Sequence, residues 1–560
     1  MCGIYGYIGK LNAYEKVLEG LKLLQYRGYD SCGIAYYGNG FQINKAIGTL
    51  DNLEKVDIET KIAFGHTRWA TNGAVNINNT HPHVSFDKAF TIVHNGIIKN
   101  ADSIKDSLIK QDIAFYSDTD TEVIANLLAY LPGKIDNRVK QLFNILEGSY
   151  SLIIGYKNGD IYLVKKFSPL NLLQAEDGIY ISSDISSLKQ GELYTMQDND
   201  IIKISKNSIS NITNHQMNFV KHENSIKAYT LGKFKHYMQK EIYETPISIE
   251  NTYYYLKNQK IRKIFKHYNK FTFIGCGTAY HSCLVGERLF REKLKYEANS
   301  ELASNYELNK SISRHHLHII VSQSGETADC IKVAEKIRAC HGKLLLITNE
   351  PTSTIARMAD YLILTKANKE LAVASTKTYC CQLFVFAYIC HVLKDKNYDI
   401  NICQFTKILN DYMTNIKVTS LVEKLQSSDK MILIGRDIDY ISLLEASLKI
   451  REIDYIYTIP MYSGELKHGT LSLIDENSNI LALNTSDDID KLEDVKNEIE
   501  SRGGSVIFID KLYRIDKSID EYYKPIFSII PFQILSYEIA ISKGYNPDMP
   551  KNLAKSVTVE

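Results

Sequence analysis

The sequence predicts an α+β domain of stacked antiparallel sheets and helices, followed by two α/β domains with parallel sheets. Three observations lead to this prediction. Strand-like segments separated by tight turns dominate the chain up to residue 215. Beyond about residue 246, short apolar strands alternate with long amphipathic helices, the pattern of βαβ units. A strand, a glycine-containing turn and a helix then follow one another at 271–290 and again at 431–450, which indicates a repeated domain.

The predicted domain boundaries follow from these changes of pattern. A length of 560 residues is enough for three or four domains of ordinary size. The first domain is expected at 2–215, and the polar, lysine-rich segment 216–245 is interpreted as a linker. The two α/β domains are expected at 246–395 and 415–545, with a C-terminal tail at 546–560.

The first domain contains alternating strand and helix signals. Predicted strands are Cys2–Ile8, Gly33–Tyr37, Ile62–His66, Phe90–His94, Ser151–Tyr156 and Ile161–Lys165. Predicted helices are Ala13–Leu24 and Thr121–Tyr130. Asn-Gly pairs, including Asn95-Gly96, are interpreted as turns that separate the strands.

Composition and charge limit the classes of function. The formal net charge is +1, which gives no reason to expect nucleic acid or an acidic membrane as a partner. No apolar run is judged long enough to span a membrane, and the best candidate, Leu383 to Leu393, is interpreted as a buried helix. The N-terminus lacks the features of a secretory signal, so a cytoplasmic location is expected.

Cysteine usage agrees with a reducing compartment and predicts no metal site. The ten cysteines include no CxxC pairs of the kind that bind metals. Cys380, Cys381 and Cys390 lie in apolar helical surroundings and are interpreted as core thiols.

Cys2 is the first candidate for chemistry. Removal of Met1 would give this residue both a thiol and a free α-amine, with reference pKa values of about 8.5 and about 7.7–8.0. An amine that titrates near neutrality is a suitable general base for its own thiol. Attack on the amide carbon of glutamine would then give a thioester and release ammonia.

The other groups that this reaction needs also have candidates. Asn95 and Gly96 could donate hydrogen bonds to the oxyanion through a side-chain amide and a backbone N–H. Arg68 could hold the substrate carboxylate bidentately, and Asp120 could hold its ammonium group. Each has an ordinary alternative: a hairpin turn for Asn95-Gly96, a helix cap for Asp120, and core filling for Trp69.

Together these motifs resemble a known family. The segments MCGIYGYIG, YRGYDS, HTRWAT, HPHV, VHNGII and TDTEV are similar to the glutaminase domain of N-terminal-nucleophile amidotransferases, and most similar to the glucosamine-6-phosphate synthases. The resemblance implies a four-layer αββα sandwich, with Cys2 as nucleophile and Asn95 and Gly96 as the oxyanion hole. It further implies that glutamine lies among Arg68, Trp69, Thr71, His81 and Asp120.

Two polar turns in the second half suit a phosphate. The first turn follows an apolar strand and precedes a helix, where hydroxyls and free N–H groups can bind an anion. It consists of Ser322-Gln323-Ser324-Gly325-Glu326-Thr327. Gly275-Cys276-Gly277-Thr278 occupies the same position in another unit. An ordinary helix N-cap at Thr327 or Ser324 is the alternative.

The second half resembles the sugar-isomerase (SIS) domains of the same family. The similarity extends over AVASTK, ASLKIREI, SGELKHG and the C-terminal NLAKSVTVE, and so over nearly the whole chain. It implies contacts to a sugar phosphate from Gly277, Thr278, Ser322, Gln323, Ser324, Thr327, Val373 and Ser375. The sequence departs from the family pattern at three positions: Asn72 replaces the usual His, Ala279 the usual Ser and Thr470 the usual Pro.

Four further residues have roles in the isomerase chemistry. Moving a proton between C1 and C2 of a sugar suits a carboxylate base, for which Glu452 is the candidate, with Lys449 three residues earlier. A surface ion pair is the alternative for these two. Ring opening suits His468, and a Schiff base with the ketone suits Lys555. The resemblance assigns these roles and places His468 in the site of a neighbouring subunit.

The expected reaction converts L-glutamine and D-fructose 6-phosphate into D-glucosamine 6-phosphate and L-glutamate, the first step of amino-sugar synthesis. No cofactor is implied, and a homodimer is expected from the shared His468. A sugar-amine 6-phosphate deglycase is a second possibility, although breakdown has no use for a glutaminase site. A sugar-phosphate-sensing regulator is a third, although it should have lost Cys2 or Glu452.

Overall fold

The protein is described by a computed structural model that covers residues 2–70, 73–205, 208–223, 230–306, 315–485 and 490–555. The described chain divides into two compact units, the first ending at Thr230 and the second beginning at Leu231. Each is built around its own sheets.

Two antiparallel sheets form the centre of the first unit. Its strands are β1 Gly3–Gly9, β2 Ser31–Tyr37, β3 Phe41–Ile47, β4 Ile62–Arg68, β5 His83–Val84, β6 Phe90–Ile98, β7 Gly148–Tyr156, β8 Ile161–Lys166, β9 Asn171–Ala175, β10 Gly178–Ser182, β11 Gly191–Thr195, β12 Ile201–Ser205, β13 Ser208–Asn211 and β14 Val220–His222. Among the described residues, one sheet has the order β14-β11-β9-β10-β1-β4-β2-β3 and the other β13-β12-β8-β7-β6-β5.

Helices cover the outer faces of both sheets. They are α1 Ala13–Leu24, α2 Ala101–Ile109, α3 Asp120–Tyr130 and α4 Ile135–Ile145. Val17 and Leu21 of α1 pack with Tyr5 on the first sheet, and the helices α2 to α4 pack on the second. Between the sheets, apolar side chains such as Ile4 and Val93 form a third core. These layers confirm the predicted αββα sandwich.

Local sequence explains some of these elements and not others. Helix α1 has its predicted bounds, because Asn12 accepts a hydrogen bond from the N–H of Tyr14 and the apolar residues recur at helical spacing. The interpretation of Asn95-Gly96 as a turn after a strand is wrong. Both residues lie inside β6, where pairing with Ser151 and Tyr150 of β7 overrides the turn preference.

The second unit contains two parallel sheets. Its strands are β15 Lys270–Gly275, β16 Glu297–Leu302, β17 His316–Val321, β18 Lys343–Thr348, β19 Tyr361–Leu364, β20 Lys430–Gly435, β21 Tyr457–Tyr462, β22 Asn479–Leu483 and β23 Ser505–Phe508. Its helices are α5 Tyr237–Tyr243, α6 Thr245–Lys257, α7 Ile261–Phe265, α8 Gly277–Lys293, α9 Ala328–Ala339, α10 Thr354–Met358, α11 Lys377–Lys394, α12 Ile402–Asn415, α13 Thr419–Leu425, α14 Asp437–Lys449, α15 Asp490–Glu500, α16 Ile509–Leu512 and α17 Lys524–Ser542. The strand orders are β16-β15-β17-β18-β19 and β21-β20-β22-β23.

The two sheets belong to repeated α/β domains, as predicted. In each copy a central strand, β15 or β20, leads through one residue into a long helix, α8 or α14. The first helical residue is left-handed in both copies, with φ of 52° at Gly277 and at Asp437. One hydrophobic cluster includes Phe273 of the first copy and Leu433 of the second, so the copies share a core.

The expectation that no apolar run is long enough to span a membrane is wrong. Helix α17 has the length and composition for a span, although 83% of its most apolar window is buried in the protein. Its apolar residues on all sides, among them Ile526, Ile530 and Phe532, belong to the shared core. Helix α17 is therefore a core helix.

The predicted linker and tail contain ordered elements. Residues 216–245 include β14, which pairs with β11 in the first unit, and α5 in the second. In the tail, the Asp548 carboxylate accepts hydrogen bonds from the N–H groups of Tyr237 and Met238, at 2.8 and 2.7 Å. These bonds satisfy two backbone N–H groups in the first turn of α5, where a helix itself offers no acceptor.

Candidate active sites

Cys2 lies directly before β1, beside the end of β4. Because Gly3 pairs with Thr67, the sulfur of Cys2 reaches the backbone of Trp69. The N–H of Trp69 donates to Sγ at 3.3 Å, and Sγ lies 3.5 Å from the Trp69 carbonyl oxygen. Burial raises the pKa of the Cys2 thiol, and Trp69 and Arg68 only partly oppose this. The thiol therefore needs a base to act as a nucleophile.

Asn95 and Gly96 approach Cys2 from the opposite sheet. The Asn95 Nδ2 group donates to the Cys2 carbonyl oxygen at 3.1 Å. Gly96 has a φ of 127°, and a Cβ there would lie 2.0 Å from the Ser149 carbonyl oxygen, so this position requires glycine. In the described chain β5 pairs with β6 only at Thr91 and Ile92, which leaves that edge of β6 open at Gly96.

Arg68 and Asp120 carry opposite charges, and Arg68 interacts electrostatically with both the Cys2 thiol and Asp120. Burial lowers the pKa of Arg68, while the charges of Cys2, Asp30 and Asp120 oppose that change. Asp120 is the first residue of α3, and its carboxylate accepts from the N–H of Ile98 at 3.0 Å. Burial raises the pKa of Asp120, but His94 and hydrogen bonds outweigh this and lower it. Thr71, a predicted glutamine contact, lies outside the described residues.

Two histidines, His66 and His81, pack together next to the Asn95 side chain. The ring of His81 packs against that of His66 at a tilt of 34°, with the centroids 4.1 Å apart, and its Nε2 lies 3.1 Å from Thr121 Oγ1. Burial lowers the pKa of His81 well below its usual range. His66 Nε2 lies 3.1 Å from Asn95 Oδ1. Sequence reasoning missed His66, although it is the first residue of the HTRWAT motif.

The first polar loop of the second unit is held by its own hydrogen bonds. The Ser322 hydroxyl accepts from the N–H of Gly325 at 3.1 Å and lies 3.2 Å from the Thr327 hydroxyl. Ser324 accepts from the N–H of Glu326 at 3.2 Å. Thr327 is the N-cap of α9, but its side chain makes no capping bond there. Gln323 is fixed through its carbonyl, which accepts from Asn349 at 3.1 Å.

Gly277 and Thr278 open α8 and meet charged residues of α14. Thr278 Oγ1 donates to Glu445 Oε1 at 2.9 Å and accepts from Lys449 Nζ at 3.2 Å. Lys449 Nζ lies 2.7 Å from Glu452 Oε2 and 3.2 Å from Glu445 Oε1. The alternative of a surface pair is wrong, because Lys449 is fully buried.

The charges in this cluster support one another. Burial alone would lower the pKa of Lys449, but the carboxylates of Glu445 and Glu452 leave it raised. Burial would raise the pKa of Glu445, but Lys449 and His281 outweigh it. His281 Nδ1 lies 2.7 Å from Glu445 Oε2. Sequence reasoning missed Glu445, although it lies four residues before Lys449.

Lys555 lies against a different acidic residue. Its Nζ is 2.7 Å from Glu370 Oε2, which also accepts from the Ser375 hydroxyl at 2.9 Å. Val373 donates its N–H to the Asp548 carbonyl oxygen at 3.2 Å. Predicted sugar contacts on the 370–377 segment therefore meet the C-terminal tail. Glu370 was missed by sequence reasoning.

His468 is separate from the buried groups. It ends a short 3-10 helix, Ser463–His468, and its side chain is exposed. An exposed histidine is available to a second copy of the chain.

Comparison with known proteins assigns both halves. A glutamine amidotransferase domain family matches residues 66–190, and the SIS domain family matches 264–391 and 424–514. Proteins named glutamine–fructose-6-phosphate aminotransferase (isomerizing) are similar over the full length of both chains. The protein of Caldanaerobacter subterraneus subsp. tengcongensis is 36% identical, and those of Clostridium acetobutylicum and Bacillus subtilis are each 34% identical.

The chain belongs to the isomerizing glutamine–fructose-6-phosphate aminotransferase family. A solved C-terminal domain of glucosamine-fructose-6-phosphate aminotransferase from Francisella tularensis is 30% identical, with a TM-score of 0.51. It covers 57% of this chain, and all of that domain is matched. The family resemblance predicted from the sequence is thereby confirmed.

Proposed function

We propose that this chain transfers the amide nitrogen of L-glutamine to D-fructose 6-phosphate, giving D-glucosamine 6-phosphate and L-glutamate. The observation that carries the proposal is the presence, in one chain of this family, of two sites that suit the two half-reactions. The Asn95 side-chain amide contacts the backbone carbonyl oxygen of Cys2 in the first unit. Lys449 and Glu452 form a buried charged cluster in the second.

The first half-reaction is glutamine hydrolysis. Once Met1 is removed, the α-amine of Cys2 takes the thiol proton, and the sulfur adds to the γ-carbonyl carbon of glutamine. The negative oxygen accepts from the free proton of Asn95 Nδ2 and from the Gly96 N–H. Collapse expels ammonia and leaves a thioester, which water hydrolyses to glutamate. Arg68 and Asp120 hold the substrate's carboxylate and ammonium groups.

The second half-reaction begins at Lys555. After His468 has assisted ring opening, a neutral Lys555 amine adds to the C2 ketone and loses water to form an imine. Ammonia then displaces the lysine and leaves a sugar imine. The hydroxyls of Ser322, Ser324 and Thr327 bind the phosphate, because they lie on a loop that opens a helix.

Glu452 completes the reaction. It removes a proton from C1 of the sugar imine and returns one to C2, which makes the aldose amine. Lys449 holds the carboxylate at 2.7 Å and so fixes its position for the first step. Glu445 in turn fixes Lys449, so the base is held by a network whose inner members are fully buried.

The active form is proposed to be a cytoplasmic homodimer. The ring-opening group and the base must act on the same sugar, and the base Glu452 lies beside the fully buried Lys449. His468 is instead exposed, so it is available to the sugar site of a second copy of the chain, which supports the dimer. Chemical cross-linking and sedimentation at increasing protein concentration test the dimer. Complementation between a His468→Ala chain and a Glu452→Gln chain tests the shared site.

One assay tests the whole reaction. Purified protein is given glutamine and fructose 6-phosphate, and glucosamine 6-phosphate and glutamate are measured together; equal amounts of both support the proposal. A deglycase would instead consume a sugar-amine phosphate without glutamine, and a regulator would bind fructose 6-phosphate without turnover. Either result would replace the proposed function.

A further inference from the structure

His66 connects the two sheets of the first unit at the nucleophile. It lies on β4 beside β1, in the same sheet as Gly3, while Asn95 lies on β6 of the facing sheet. Its side chain is fully buried, and its Nε2 lies 3.1 Å from Asn95 Oδ1. The other end of the same amide donates to the Cys2 carbonyl oxygen at 3.1 Å.

We infer that His66 is a positioning residue that fixes the Asn95 amide with its N–H₂ group toward Cys2. This inference rests on the proposed function, in which that group binds the oxyanion. An asparagine side chain can turn by 180° and exchange its oxygen and nitrogen. A turned amide would present oxygen to the Cys2 carbonyl and to the oxyanion, and both contacts would be repulsive.

The hydrogen bonds determine the form of the imidazole. Because Asn95 Nδ2 donates to Cys2, its Oδ1 faces His66 and needs a donor, so Nε2 of His66 carries the proton. His66 Nδ1 is buried and has no hydrogen-bond partner among the described residues, which suits the unprotonated nitrogen of a neutral ring. Burial, with Arg68 and His94 nearby, lowers the pKa of His66 to about 3. The ring therefore stays neutral at physiological pH.

The surroundings hold His66 in this orientation. The tilted ring of His81 packs against its ring with the centroids 4.1 Å apart, and His81 Nε2 lies 3.1 Å from Thr121 Oγ1 of α3. The donor is therefore fixed before glutamine arrives. Preorganised donors of this kind account for much of the stabilisation of an oxyanion, because no reorientation is needed during the reaction.

Variants of His66 test the inference through glutamine hydrolysis. His66→Leu removes the donor, and we expect kcat to fall about 10²-fold with KM within about 3-fold, as for loss of one oxyanion donor. His66→Gln places an amide N–H near the position of Nε2, and we expect kcat within about 10-fold of the parent. Asn95→Ala should cost about as much as His66→Leu, and the double variant should cost no more than either.

The comparison includes a matched buried histidine. His83 Nε2 lies 3.1 Å from Thr119 Oγ1, and among the described residues the side chain of Asn95 is hydrogen-bonded to His66 and Cys2 instead, so His83→Leu should lower kcat by the same factor in the parent and in the Asn95→Ala variant. L-glutamate binding checks the fold of every variant.

The inference is overturned if the fold-losses in kcat of His66→Leu and Asn95→Ala multiply in the double variant. It is also overturned if His66→Leu keeps the parent kcat. If His66→Leu does not fold, His66→Gln still tests the inference. A His66→Gln protein that folds and binds glutamate, but has a kcat as low as that of Asn95→Ala, overturns the inference. Failure of the proposed function is distinguishable, because either the parent protein would not hydrolyse glutamine or Cys2→Ala would retain that hydrolysis, whatever the His66 variants do.

Discussion

Lys555 Nζ lies 2.7 Å from Glu370 Oε2, and the Glu370 carboxylate is fully buried. Burial would raise the pKa of Glu370, but Lys555 and the N–H groups of Thr376 and Thr378 lower it to about 2. The carboxylate is thus ionised at all working pH values, and it pairs with Lys555. Under the proposed function, the sugar must draw Lys555 out of this pair before an imine can form.

Lys555 should be the residue that forms this imine. Borohydride treatment of the parent protein with fructose 6-phosphate should reduce the imine and attach the sugar to Lys555, as read by peptide mass spectrometry. Lys555→Arg keeps the charge next to Glu370 but cannot form the imine, so it should show no adduct and no aminosugar. An adduct on another lysine in the parent protein would contradict the assignment.

Glu370→Gln should loosen the C-terminal segment around Lys555. Loss of the buried negative charge leaves the lysine unpaired, and we expect aminosugar formation to fall about 10-fold or more. Trypsin should also cut faster after the exposed Lys551, while glutamine hydrolysis continues. Glu335→Gln, an exposed change, is the control. Parent-like cleavage and activity in Glu370→Gln would show that the pair is dispensable.

Cys2→Ala should abolish glutamine hydrolysis, because no other group can form the thioester. Fructose 6-phosphate binding should survive, since its proposed contacts lie in the second unit. Glutamate release and sugar-phosphate binding are measured on the same preparation. Residual glutaminase activity, or Met1 still attached in active protein, would rule out Cys2 as the nucleophile.

Glu452→Gln preserves the shape of the side chain and removes the base. Aminosugar formation should drop about 10²-fold or more, while glutamine hydrolysis continues. Exchange of the sugar C1 proton with deuterated water, followed by NMR, should stop in the variant. Unchanged exchange would leave Glu452 only as a partner of Lys449.

Glu241 should make stability depend on pH. Burial, with Glu370 nearby, raises its pKa to about 8, against about 4.3 in an unfolded chain. Its contribution is fully present below about pH 4 and is lost as the pH rises through about 8. Glu241→Gln should therefore gain about 1–3 kcal/mol in free energy of unfolding over the parent between pH 5 and 8.

Urea unfolding at pH 5, 6.5 and 8 measures this difference. The exposed Glu423→Gln variant should follow the parent at each pH. If Glu241→Gln also runs parallel to the parent, the buried carboxyl is ionised in the folded protein at these pH values.

Motif order was enough to identify the family, and that resemblance implied the αββα sandwich. The repeated α/β domains were predicted from local patterns of strands, turns and helices. Contacts between distant residues were not predictable in this way. Glu370 and Lys555 are 185 residues apart in sequence, and His66 meets Asn95 only because two sheets face each other. Asn95-Gly96 was misinterpreted because pairing with β7 decides its conformation.

The left-handed residues that open α8 and α14 show how far the duplicated domains have diverged. At Gly277 the turn presents backbone alone, whereas at Asp437 it presents an exposed carboxylate that pairs with Arg288 at 2.9 Å. A dianion approaching the second turn would be repelled by that carboxylate. The two copies therefore differ in charge at equivalent turns: under the proposed function the first copy receives the anion, and the second contributes Lys449 and Glu452.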